Sequence, residues 1–131
     1  MKIINIILRV VLCLLILTPI LGAIGIFPAP TPDLYNTPEA FAFINMLFMN
    51  GYVLYIMALV FAVCIVLIIM NRMALASLLI APIVVNIVSF HAFLDGGLFT
   101  SGASLAIVLL VLNIYFLWQS RAQYKSLWNK A

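Results

Sequence analysis

The chain has 131 residues, of which 68% are hydrophobic and 7% charged, against about 25% charged in an ordinary soluble domain, so a soluble fold is excluded. A membrane-crossing helix takes roughly 20 mainly apolar residues, and the four stretches of that kind here predict an all-α integral membrane four-helix bundle. The net charge of +3 comes from Lys2, Arg9, Arg72, Arg121, Lys125 and Lys130 against Asp33, Glu39 and Asp95; cations scattered in this way form no basic stripe, which excludes nucleic acid as a partner.

Span one is expected over about 3–24. Lys2 and Arg9 precede the run VVLCLLILTPILGAIG in the manner of a secretory leader. The run is longer than the roughly 7 to 15 residues of such a signal, however, and a permanent span is expected. Arg9 sits about 10 Å along this helix from Ile3, near enough for its stem to snorkel to the closer surface; an anion or headgroup contact there is the functional alternative. Pro19 removes the donor for the Leu15 carbonyl, so a bend is expected. Beyond Gly25 the composition changes to FPAPTPDLYNTPEA, whose proline spacing enforces an extended connection. Thr37, Pro38 and Glu39 have the form of an N-cap, a first-turn proline and a first-turn acid. They predict a short helix over about 38–49, too short to span and expected at the membrane surface or over the mouth of the bundle.

Span two, about 52–70, holds no charge, and Tyr52 and Tyr55 at its start suit an interfacial aromatic belt. The short turn Asn71-Arg72-Met73 makes spans two and three antiparallel neighbours. Span three, about 74–94, carries Ser77, Asn86, Ser89 and His91, with Asp95 at its end. Pro82 within it is expected to bend the helix and to leave the Leu78 carbonyl without its helical donor. After the loop DGGLFTSG, span four is expected over about 103–118, with Asn113 turned toward a neighbouring helix. The basic tail, 119–131, is amphipathic, and Tyr124, Leu127 and Trp128 are expected to lie on lipid headgroups.

Charge sets the expected topology. With both termini cytoplasmic, all six cations fall on the inner side or in the adjoining helical turns, and all three acids fall outside.

The densest polar constellation runs from Asn86 to Asp95. His91 and Asp95, four apart, share a helical face within hydrogen-bonding reach. Asn86 and Ser89 fall on an overlapping face one to one and a half turns deeper. Such a stripe descending into the bundle suits a quinone headgroup, a small polar ligand or a proton path; it equally suits interhelical glue. Arg9, near the opposite surface, is expected not to share this site. Cys13 and Cys64 lie in apolar stretches outside any C-x-x-C motif and away from the single His, so no haem or metal site is expected. A phosphate loop, a nucleophile elbow and paired intramembrane carboxylates are likewise missing from the sequence.

The run LLIAPIVVNIVSFHAFLD, with GAIGIFPAPTPDLYNTPEAFAFINML before it and NGY opening span two, resembles the DoxX-like family of small four-helix bacterial membrane proteins. The likeness covers nearly the whole chain, and Arg9, Asn86 and His91 are its matching positions. It implies a four-helix bundle in the bacterial cytoplasmic membrane and a link to membrane redox systems, including quinone reduction. Many relatives carry a lysine near the end of span one and a glutamate within span two, where this chain reads LGAIGIF and LYIMALVFAVCIVLIIM. The expected function is therefore a small subunit supporting a quinone-linked or other redox process. Its partners would be the lipid bilayer, a quinone or other apolar ligand, and partner subunits or further copies of itself. A non-catalytic scaffold is the competing expectation, and a small-molecule transporter a third.

Overall fold

The computed structural model describes residues 1–129; Lys130, one of the six cations, lies outside the described residues. Among the described residues six helices follow in order: α1 Lys2–Ala23, α2 Pro38–Asn50, α3 Tyr52–Ile69, α4 Met73–Phe93, α5 Ser101–Gln119 and α6 Arg121–Trp128. A single 3-10 turn, Pro32–Leu34, interrupts the long connection before α2, and there is no strand among the described residues. α1, α3, α4 and α5 are long and apolar enough to cross a membrane, each within a residue or two of the expected bounds. α1 packs on α3, α3 on α4 and α4 on α5, and a lighter contact of α5 with α1 closes the ring.

Local chemistry explains where the helices start and stop. Thr37 Oγ1 accepts the Ala40 N–H at 3.1 Å and Thr100 Oγ1 accepts the Ala103 N–H at 3.3 Å, so a hydroxyl satisfies an orphan donor at the start of α2 and of α5. α1 and α3 end alike. Ile26 N–H reaches back to the Leu21 carbonyl at 3.0 Å and Arg72 N–H to the Leu67 carbonyl at 2.7 Å. Each closure pivots on a left-handed residue, Gly25 at φ +81° and Asn71 at φ +60°, residue types that tolerate this conformation. Gly51, at φ +70°, separates α2 from α3, and a Cβ there would stand 3.1 Å from the Tyr55 ring. Pro19 in α1 and Pro82 in α4 each lie inside a helix that continues past them.

The core is one cluster in which Leu12, Ile16, Phe61, Ile80, Val84 and Phe116 are fully buried. Outside it, Ile56, Leu59, Leu105 and Val111 remain more than half exposed, so the helices are apolar on both their inner and outer faces, as helices surrounded by hydrocarbon must be. Lipid tails are as apolar as leucine, and close packing rather than water exclusion holds such a bundle together.

Polar contacts define its two ends. At one end Tyr115 Oη donates to Asn5 Oδ1 at 2.6 Å, with Gln119 Nε2 on the same oxygen at 3.2 Å, joining α1 to α5. Arg9 Nη1 donates to Asn71 Oδ1 at 2.6 Å, joining α1 to the α3–α4 turn. Tyr124 Oη lies 2.9 Å from both the Ala74 carbonyl and Ser77 Oγ, joining α6 to α4. The described cations all belong to the segments gathered here, while Asp33, Glu39 and Asp95 belong to the connections at the other end. The tail corrects one expectation: Tyr124 is spent on α4, and only Leu127 and Trp128 stay free, 70% and 86% exposed. Trp118 is exposed as well and carries the Arg121 guanidinium 4.7 Å over its ring.

Candidate functional site

The acid end is organised around Asp95, 3% exposed. Its carboxylate is aimed inward because α4 ends at Phe93 and the chain turns immediately into the glycine-rich loop. Oδ1 accepts the backbone N–H of Asn36 at 2.8 Å, Oδ2 faces His91 Nδ1 at 3.0 Å, and Asn36 Nδ2 donates to the Asp95 carbonyl at 3.1 Å. Beside them the Thr37 hydroxyl donates to the Leu94 carbonyl. The same threonine thus caps α2 and ties it to the end of α4. With the carboxylate as acceptor, His91 Nδ1–H is the donor of this bond. Gly102, at the start of α5, leaves room for this pair, since a Cβ there would lie 3.5 Å from the imidazole and 3.7 Å from Oδ2.

Aromatic rings pack around the same joint. Tyr35 lies 6.1 Å from Phe41 and edge-on to Phe90 at 6.3 Å, and Phe43 of α2 reaches Phe90 at 5.8 Å. Burial, reinforced by the nearby Asp95 charge, pushes the Tyr35 phenol above its ordinary value.

The expected polar stripe on span three is divided. His91 and Asp95 face the 94–102 loop and the long connection, but Asn86 is exposed on the outer surface of α4 instead of descending into the bundle. Asn86 and Ser89 line a groove of about 380 Å³ with Phe43, Pro82, Phe90 and Phe93. The cause is helical geometry: Val84 is the fully buried residue of this turn, and Asn86, two residues on, is rotated by about 200° to the opposite face. Among the described residues neither Asn86 nor Ser89 has a side-chain hydrogen-bond partner. Two neutral polar groups thus stand unpaired on an otherwise apolar surface, at a depth of roughly 10 Å from the end of α4 for Asn86.

Arg9 is at the opposite end, held by Asn71, and shares nothing with His91. Asn113 does face inward, 2% exposed, with Oδ1 unpaired among the described residues. No three His, Cys, Asp or Glu side chains come together among the described residues. Asn36 and Asn71, the partners of Asp95 and Arg9, were not identified from sequence. Each pairing spans some sixty residues, and neither asparagine stands in a motif that foretells it. Comparison with models of protein families, with curated proteins and with solved structures finds no match to this chain.

Proposed function

We propose that this chain is a DoxX-like subunit of the bacterial cytoplasmic membrane, with both termini inside, that supports a redox process by holding a quinone-type ligand in the groove beside α2. The observation that carries this reading is the unpaired Asn86–Ser89 pair on the outer face of α4. An amide and a hydroxyl left without partners against hydrocarbon cost on the order of 1–3 kcal/mol each. A flat ring bearing carbonyl oxygens would accept from Asn86 Nδ2 and Ser89 Oγ while its body rested against Phe43, Phe90 and Phe93. The groove, about 380 Å³, is within the roughly 300–1,000 Å³ of small-molecule sites, and its outward face lets an apolar ligand enter sideways from the bilayer. His91 and Asp95 serve here as the frame that fixes the end of α4.

The test is photolabelling of the reconstituted protein with an azido-quinone, mapped by peptide. The expected result is saturable labelling within 82–94 that is lost in Asn86→Leu and kept in a folded His91→Gln protein. Equal labelling of wild type and Asn86→Leu overturns the reading. A non-catalytic scaffold subunit is the second reading, favoured by the way His91, Asp95, Asn36 and Thr37 are used to join segments to one another. It predicts no labelling, together with disulfide trapping of an Asn86→Cys protein against a neighbouring chain.

A further inference from the structure

A second groove, of about 430 Å³, runs between α1 and α3 at the cation end. Its walls include Ile6, Val10, Leu14, Ile65 and Ile69, and its one charged lining residue among those described is Arg9. The guanidinium is not neutralised by the protein. Nη1 is bonded to the neutral Asn71 at 2.6 Å, Nε is buried without a partner, and no carboxylate lies within ion-pairing distance among the described residues. The three acids are at the far end of the bundle. Arg72 follows Asn71 in the turn, so the neighbouring charge is also positive. A cation presented in this way, above an aliphatic trough that faces outward, has the layout of a phosphate over a hydrocarbon chain.

We infer that this groove is a binding site for one anionic phospholipid, its phosphate on Arg9 and one acyl chain lying along α1 and α3 below it. Asn71 holds the guanidinium at the level of the α3–α4 turn, where a headgroup lies, and leaves its remaining N–H groups for phosphate oxygens. Zwitterionic lipid offers the same phosphate but brings its own cation to a site that already has two. This site is separate from the Asn86 groove, and either can fail without the other.

The test is native mass spectrometry of the detergent-purified chain with added phosphatidylglycerol or phosphatidylcholine. One phosphatidylglycerol is expected to remain bound per chain, about tenfold more tightly than phosphatidylcholine, whose choline cation is repelled by Arg9 and Arg72. Arg9→Gln is expected to abolish that preference and Arg9→Lys to keep part of it. Leu14→Trp and Ile69→Trp leave the charge intact and fill the trough; both positions are more than half exposed, 58% and 72%, so the core is untouched. Each is expected to displace the lipid. Equal retention of the two lipids, unchanged binding in Arg9→Gln and in both tryptophan variants, or equally tight binding of free inorganic phosphate overturns the inference.

Discussion

Asp95 and Asn36, 59 positions apart in the chain, exchange two hydrogen bonds, carboxylate to backbone N–H at 2.8 Å and side-chain amide to backbone carbonyl at 3.1 Å. This exchange fixes the long proline-rich connection to the end of α4, and through Thr37 it sets where α2 begins. Removing the carboxylate leaves the Asn36 N–H and the His91 ring without their acceptor. Asp95→Ala is therefore expected to lower stability by about 3 kcal/mol, and Asp95→Asn, which keeps an acceptor oxygen, by about 1 kcal/mol. Thermal unfolding in detergent, followed by circular dichroism, measures both. Equal losses in the two variants remove the bond to Asn36 as the cause.

Tyr35 gives this joint a pH dependence of definite sign. Burial first, and the negative charge of Asp95 second, hold its phenol above the ordinary tyrosine value. A group whose pKa is raised on folding contributes stability that is complete below the unfolded value and is lost as pH rises through the folded value. The acid end is therefore expected to loosen as pH climbs from about 10 upward. Tyr35→Phe is expected to flatten that part of the curve. Spectrophotometric titration of wild type minus Tyr35→Phe isolates this phenol from the other four tyrosines; a midpoint at or below that of free tyrosine contradicts the assignment.

The helices and their order were legible because each depends on local signals. Twenty-residue apolar runs and the Thr37-Pro38-Glu39 start act within a turn or two of themselves, and the structure follows them closely. The i, i+4 bond of His91 to Asp95 was legible for the same reason. What escaped is the direction in which Asn86 and Ser89 face. α4 is apolar all round, so its sequence carries no amphipathic phase to say that Val84 points in and Asn86 out. The partners Asn36, Asn71 and Ala74 depend on how distant segments meet, which no local pattern encodes.

α6 is held to α4 largely through one phenol. Tyr124 Oη lies 2.9 Å from the Ala74 carbonyl and from Ser77 Oγ, while Leu127 and Trp128 beyond it are exposed. Tyr124→Phe keeps the ring and deletes the bond, a loss of about 1 kcal/mol. Because an eight-residue helix is far below the roughly 12–15 residues needed for independent stability, that loss is expected to appear locally. Hydrogen exchange across 121–128 accelerates severalfold while the melting temperature of the bundle stays put. A fall in bundle stability with unchanged exchange in α6 assigns Tyr124 to the core instead.

Asn113 and Asn86 are the two span asparagines whose surroundings differ most, and the same substitution is expected to act on them in opposite ways. Asn113 is 2% exposed and its Oδ1 has no partner among the described residues, on a helix whose other buried residues there, Leu109, Leu112 and Phe116, are apolar. A buried carbonyl oxygen without a donor costs about 1–3 kcal/mol, and leucine has nearly the shape of asparagine without that cost. Asn113→Leu is therefore expected to raise stability by about 1 kcal/mol with no change in quinone labelling. Asn86 is exposed, so its unpaired amide meets the same surroundings before and after folding; Asn86→Leu is expected to leave the melting temperature within error of wild type and to cancel the labelling. Parallel melting and labelling of the two variants separates a packing defect inside the bundle from a ligand contact on its surface. The reverse pattern, with stability falling in Asn113→Leu, would show that Oδ1 has a partner, and a bridging water is the first to look for.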